Sequence, residues 1–298
     1  MSQGAATSAA IDEPLELSAP IAREMAGRLC GHDPLSGGTC AWYHGFWQYV
    51  RLLGLGASPS AHATRLLPAL RSSARTGGHP RLLISGAADY SMLATVVTAY
   101  SAEQARLRPV VVDMCATPLH MCRWYADRMH CEIATVVSDI RSVSVADPFD
   151  VVCTHAFLGY FSPADRGPLI AKWASLLRPG GRIVTVQRIR SRADPAVVSF
   201  TPHEKAAFVA RIKSAARDKA GLDDATRAWL SDAARTYAER FWTYPVASSD
   251  ELAHLFEDAA CDVDAIDVVV PEEQDAQQPS GPTIPARAEY AFVSATRR

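Results

Sequence analysis

The segment RLLISGAADYSML, residues 81–93, constrains what this chain can fold into more than any other stretch. An apolar, strand-like run meets the small-residue turn Gly86-Ala87-Ala88 and passes into a helix-like run. A second apolar run, PVVVDM at residues 109–114, carries Asp113 at its end. Open α/β sheets build nucleoside pockets in this way, with a tight turn beneath the ligand and an acid at the next strand end to accept from a ribose hydroxyl pair. The alternation continues: strand 81–86, helix 90–106, strand 109–114, helix 117–129, strands 132–137 and 149–154, helix 163–177, strand 181–188. Strands separated by helices predict a doubly wound, mostly parallel α/β sheet. Pro179-Gly180-Gly181 is expected to end one helix and return the chain to that sheet.

The flanks read differently. Residues 1–14 predict a flexible tail, 15–78 an N-terminal helical cap, and 79–298 the sheet domain. In the cap, Thr39 is expected to open a helix from about Cys40 to Leu53, with Trp42, Phe46, Tyr49, Val50 and Leu53 along one side. Gly45 inside that helix costs about 1 kcal/mol relative to alanine, which points to a close approach by a ligand or another backbone. After residue 188 two helices are expected, over 202–219 and 223–240, the first opened by the capping-box spacing of Thr201 and Glu204. Their apolar residues Phe208, Val209, Ile212, Trp229 and Leu230 suggest a lid over about 201–240. A second capping box, Ser248 to Glu251, opens a further helix, and residues 261–270 and 286–296 supply two last strands.

Composition narrows the function classes. The 298 residues carry a net charge of −2 and no dense Lys/Arg run, which argues against nucleic acid or an anionic membrane as partner. No stretch approaches the roughly 20 apolar residues of a membrane span. The N-terminus lacks the basic flank and apolar core of a secretion signal, so a cytoplasmic location is expected. Cysteines 30, 40, 115, 122, 131, 153 and 261 include no C-x-x-C pair. Their odd number and apolar surroundings predict buried thiols in a reducing compartment and no metal.

The ordered set of segments over about residues 80–298 resembles the class I S-adenosylmethionine-dependent methyltransferases. RLLISGAAD stands at the place of that family's cofactor turn, VVVDMC at its ribose acid, and VVSDIRSV puts Asp139 and Ile140 at its adenine contact. The run from Phe149 through LRPGG to Val186 resembles its fourth strand, the following helix and the fifth strand; YPVASSDELAHLFEDAACDV resembles its penultimate helix and strand. The resemblance implies a Rossmann-like sheet of seven strands finished by an antiparallel hairpin, with S-adenosyl-L-methionine as cofactor. The implied cofactor contacts are Ser85, Gly86, Ala87, Asp89, Asp113, Met114, Asp139, Ile140, Thr154 and His155. The chain departs from the pattern at Ile84, where the family has an acid, and at Ala88 and Tyr90, where it has glycines. Asp89 is therefore expected to hold the cofactor's ammonium.

The helix over 40–53 is dense in aromatics, as a roof over a small-molecule pocket would be. Trp42, Tyr43, Trp47, Tyr160 and Gln187 are the expected substrate contacts, with His155, His44 and Tyr43 as candidate bases. Phe241, Trp242 and Tyr244 could line the same space, whereas His32, His62, His79, His120, His130 and His254 are expected to be ordinary. The expected reaction is methyl transfer to a small, partly apolar or aromatic metabolite, mainly by positioning, with oxygen, nitrogen and carbon acceptors left open. A non-catalytic binding module for the same cofactor or a nucleotide is the alternative. A nicotinamide-dependent oxidoreductase is a weaker one, because the turn lacks G-x-G-x-x-G and no Tyr-x-x-x-Lys occurs. The amphipathic N-terminal helices could swap onto a second copy, giving a homodimer.

Overall fold

The computed structural model describes residues 11–33, 38–73, 80–101, 107–190, 197–269 and 289–298. The expected tail up to residue 10, the break at 74–79, the helix end at 102–106 and the proline-rich stretch 270–288 lie outside the described residues. The N-terminal segment forms α1 (Leu15–Leu29), the two-residue strands β1 (His32–Asp33) and β2 (Gly38–Thr39), α2 (Ala41–Leu52) and α3 (Ala63–Ser72). β1 and β2 pair antiparallel. Thr39 is in that hairpin, so α2 starts from Cys40, which makes no side-chain capping bond.

The sheet strands are β3 (Leu82–Ser85), β4 (Val110–Asp113), β5 (Ala134–Val137), β6 (Phe149–His155) and β7 (Leu177–Ile189). Beyond the short pair β8 (Val198–Ser199) and β9 (Trp242–Thr243) come β10 (Cys261–Val269) and β11 (Glu289–Arg297). Among the described residues one seven-stranded sheet runs in the order β10-β11-β7-β6-β3-β4-β5. β3 to β7 are parallel, and β11 is antiparallel to both its neighbours. The strand order reverses between β3 and β6, and ligands of open α/β sheets bind at such a switch point.

Side-chain alternation divides the core in two, because successive residues of a strand face opposite sides of the sheet. Leu82, Ile84, Val111, Val151 and Val186 pack beneath α3, α4 (Ser91–Ala99) and α5 (Ala116–Arg128). Leu83, Val112, Val152 and Ile183 pack beneath α6 (Pro163–Leu176) and α9 (Ser249–Asp258). With both faces covered, these strands read as continuous apolar runs. Pro179-Gly180-Gly181 does not precede β7 but lies within it: Phe149 pairs with Leu177 and Val151 with Arg182, so the intervening residues bulge out. Gly180 takes φ +71° there, a conformation glycine adopts without penalty.

A third cluster joins α2 to the paired helices α7 (Pro202–Asp218) and α8 (Asp224–Arg240). Phe46 and Val50 of α2 meet Phe208, Ile212, Leu230 and Tyr237, all nearly inaccessible to water. Helices 201–240 are thus fused with the N-terminal segment into one helical layer. The Thr201 capping box forms as expected, with Thr201 accepting from the Glu204 N–H and Glu204 accepting from the Thr201 N–H at 2.8 Å. No described helix is long and apolar enough to cross a membrane.

Candidate active site at the strand ends

The glycine turn and the acid meet as the sequence suggested. Gly86 has φ +73°, and the Ala87 N–H donates to Asp113 Oδ2 at 2.9 Å. The Cys115 N–H donates to Asp113 Oδ1 at 2.7 Å. Each carboxylate oxygen spends one lone pair in this way and keeps another for a ligand. Burial pushes the Asp113 carboxyl above its ordinary range, opposed by His44 and by the two N–H donors. Met114, beside it, is exposed.

Three expected contacts have other partners. Ser85 is fully buried and accepts from Trp173 Nε1 at 2.9 Å, which ties β3 to α6. Asp89 pairs with Arg51 Nη1 at 2.5 Å and accepts from the Ser91 N–H, at the start of α4, at 2.7 Å. That carboxylate faces the helical layer, so the structure gives no support to its holding an ammonium. Arg51 also pairs with Glu13, and burial of the guanidinium is outweighed by the two carboxylates. Tyr90, at a family glycine position, stacks on Tyr125 with ring centroids 4.7 Å apart and shares a hydrogen bond with Ser18 at 3.0 Å. Asp139 accepts from Arg141 Nη2 at 2.7 Å and caps the turn Ile140–Ser142, in which Ile140 is buried.

At the end of β6, His155 and Thr154 differ from these in having polar atoms without a hydrogen-bond partner. Thr154 Oγ1 and His155 Nε2 are buried and unpaired, as are both ring nitrogens of His62 and both amide atoms of Gln48. The His62 ring lies 5.2 Å from that of His155 and 4.6 Å from Tyr290. Burial lowers the His62 pKa to about 4. Burial, with His62 and Arg51 close by, holds His155 well below its ordinary range, so both rings are neutral at pH 7. His62 thus packs directly against His155, a contact with no local signal in the sequence. Ala156 follows in the left-handed region (φ 51°), unusual for a residue with a side chain. The next residue, Phe157, lies over the turn: a Cβ on Gly86 would sit 2.3 Å from its ring. Behind this loop the buried Arg166 donates to Tyr244 O at 3.1 Å and Pro245 O at 2.8 Å and pairs with Glu251 at 2.5 Å. Tyr244 thus contributes a carbonyl to the loop's support.

α2 crosses the strand ends as a roof. By helical spacing His44, Gln48 and Arg51 share one face, and His44 and Arg51 reach the residues around Asp113 and Asp89. Gly45 on the far side lies against α1, where a Cβ would meet Ala26 at 3.2 Å, so helix packing explains that glycine. Tyr43 stacks on Trp47 at 5.7 Å, and its hydroxyl is 3.2 Å from that of half-exposed Tyr160. Tyr237 of α8 completes the group, 6.1 Å from Tyr43 and 5.7 Å from Trp42, whose Nε1 is buried and unpaired. Tyr237 was not singled out from the sequence, although Leu230, Ala234, Tyr237 and Ala238 form the buried stripe of α8. Phe241 stacks on Tyr237 at 5.2 Å, and Trp242 lies edge-on to Tyr244.

Two expected base candidates fare poorly. Burial, with Tyr160 and Tyr237 adjacent, raises the Tyr43 pKa well above its ordinary value, which keeps the phenol protonated. His44 Nδ1 faces Cys30 Sγ at 3.5 Å. Gln187 is buried in a structural role, accepting from the Leu158 N–H at 3.0 Å and donating to Thr185 at 2.6 Å.

Residues 94–181, which run from α4 into β7, match the family model described as a methyltransferase domain. Over that stretch the chain carries a methyltransferase domain. No curated protein matches it in sequence. Among solved structures, the N-methyltransferase NodS from Bradyrhizobium japonicum WM9, in complex with S-adenosyl-L-homocysteine, is 14% identical at TM-score 0.48, covering 79% of this chain and 85% of that one. An S-adenosylmethionine-dependent methyltransferase from Methanosarcina mazei is 14% identical at TM-score 0.47, covering 74% and 94%. Magnesium protoporphyrin IX methyltransferase from Synechocystis PCC 6803 is 9% identical at TM-score 0.46, covering 80% and 84%.

Proposed function

We propose that this methyltransferase domain binds S-adenosyl-L-methionine at the rim formed by Gly86, Asp113 and His155 and passes the methyl group to a small, partly aromatic metabolite. The observation that carries the reading is Asp113, half-buried at the switch point, fixed by two backbone N–H groups and with a lone pair left on each oxygen. The residues present fit the donor, because unpaired polar atoms of Thr154, His155 and Gln48 lie buried around the same rim and roof. The bound donor supplies an electrophilic methyl group on a positively charged sulfur.

The chain's own groups then divide the work. Asp113 accepts from ribose hydroxyls in charge-assisted hydrogen bonds, which are stronger than neutral ones. Asp139 and Ile140 border the adenine place, and Thr154 takes a polar contact at the end of β6. Phe157 covers the turn, so admission of the ligand involves movement of its ring about the Ala156 bend. Trp42, Tyr43, Trp47, Tyr160 and Tyr237 wall the acceptor side. In-line displacement depends on alignment, and positioning of this kind is worth about 7–11 kcal/mol. The neutral His155 imidazole can take a proton from an acceptor hydroxyl at Nε2, and its low pKa makes it a weak base.

Calorimetric titration with S-adenosyl-L-methionine and S-adenosyl-L-homocysteine, followed by transfer of labelled methyl to a panel of phenols, amines and activated carbon acids, tests the reading. Saturable binding with label transfer to at least one class is expected. Binding without transfer to any class would favour the non-catalytic module.

A further inference from the structure

The geometry points to a structural zinc site made by Cys30, Cys40, His44 and Cys115. The fold assembles these four although nothing in the C-x-x-C pattern announced them. Cys30 closes the C-terminus of α1, Cys40 is the N-cap of α2, His44 is in the first turn of α2, and Cys115 is the N-cap of α5. The β1–β2 pairing folds the chain back between Cys30 and Cys40. The Cys40-x-x-x-His44 spacing then puts two ligands on one face of a helix.

The distances agree with a tetrahedron. One ligand atom from each residue lies within 4.8 Å of the others. Cys40 Sγ is 3.5 Å from Cys115 Sγ, Cys115 Sγ is 3.7 Å from Cys30 Sγ, and Cys30 Sγ is 3.5 Å from His44 Nδ1. Zinc bound at about 2.3 Å to sulfur and about 2.0 Å to nitrogen places tetrahedral sulfurs about 3.8 Å apart and sulfur about 3.5 Å from nitrogen. A disulfide would need sulfurs about 2.05 Å apart. Three thiolates with one imidazole are a soft donor set that selects zinc among common divalent ions, and four protein ligands leave no corner for a reacting water. Thr117 supports the set, its Oγ1 lying 3.1 Å from Cys30 Sγ, within reach to donate to a thiolate. Cys40 and Cys115 both stand at helix N-termini, where the peptide dipoles favour negative sulfur.

The site's place in the fold gives it a task. It fastens the ends of α1 and α2 to the loop after β4, and the Cys115 N–H in that loop holds Asp113. Binding free energy at such a site is folding free energy, so the metal would lock the roof onto the acid-bearing rim. The assignment stands whether or not the chain transfers methyl groups.

Elemental analysis of the full chain, purified from zinc-replete medium without a metal-affinity tag, tests it. One zinc per chain is expected, released when a mercurial reagent titrates the thiols. X-ray absorption is expected to show three sulfur and one nitrogen neighbours. Cys40→Ser and Cys115→Ser should each lower the zinc content by at least about ten-fold, whereas His44→Cys should retain it. If the serine variants fail to fold, the wild-type absorption spectrum decides alone. A zinc-free, folded wild-type chain, a disulfide among Cys30, Cys40 and Cys115, another metal in the site, or zinc without sulfur neighbours would each overturn it.

Discussion

The two sides of the strand-end rim are finished differently. Beside β3 and β4, Arg51 is shared by Asp89 and Glu13, and Asp113 is held by the Ala87 and Cys115 N–H groups. At the end of β6, the side chains of His62 and Thr154 and the Nε2 of His155 have no hydrogen-bond partner, and neither does the Gln48 amide on the roof. Leaving a buried polar group unpaired costs about 1–3 kcal/mol, so a group of them is not incidental to a fold. The difference separates a rim that holds Asp113 rigid, with a lone pair left on each oxygen for a ligand, from one whose polar side chains have no partner within the protein.

That contrast makes opposite demands on mutation. The largest effect is expected at the satisfied side: Arg51→Met leaves two carboxylates uncompensated and should cost about 3–5 kcal/mol in urea unfolding. Next comes His62. Its folded pKa of about 4 lies below the ordinary 6.5, so the stability it carries is complete above pH 6.5 and is lost as pH falls toward 4. The 2.5-unit difference corresponds to about 3 kcal/mol. In His62→Phe, the loss of stability between pH 6.5 and 4 should shrink by about that amount. Asp113→Asn keeps an acceptor but loses the charge; about 100-fold weaker binding of the methyl donor is expected in calorimetry, or about 2.7 kcal/mol. The smallest effect is expected at Thr154→Val, within about 1 kcal/mol of wild type in either direction, because its hydroxyl has no bond to lose. A large loss of stability at Thr154, or none at Arg51, would erase the distinction between the two sides.

How much of this was legible follows from range. Gly86, Asp113 and His155 occupy strand ends, and strand ends can be read from apolar runs and turns a few residues long. The seven-strand sheet was legible for the same reason, since each strand and helix announced itself locally. The pairing of Asp89 could not be read locally, because its partner, Arg51, is in a helix 38 residues earlier whose own pattern shows only aromatic roofing. Gln187 has the polarity of a mouth residue, yet its amide is spent on Leu158 and Thr185. His62 meets His155 and Tyr290 only through packing against β6 and β11, which no local window contains. The helices after β7 showed their apolar stripes plainly, but not that the stripe of α8 would meet Phe46 and Tyr43 of α2.

Isothermal calorimetry of the intact chain with S-adenosyl-L-homocysteine, run beside the Asp113→Asn variant, tests the central claim most directly. The account predicts one saturable site in the wild type and a loss of about 100-fold in the variant. Absence of binding by a folded wild-type chain, or equal affinity in the two proteins, would contradict it.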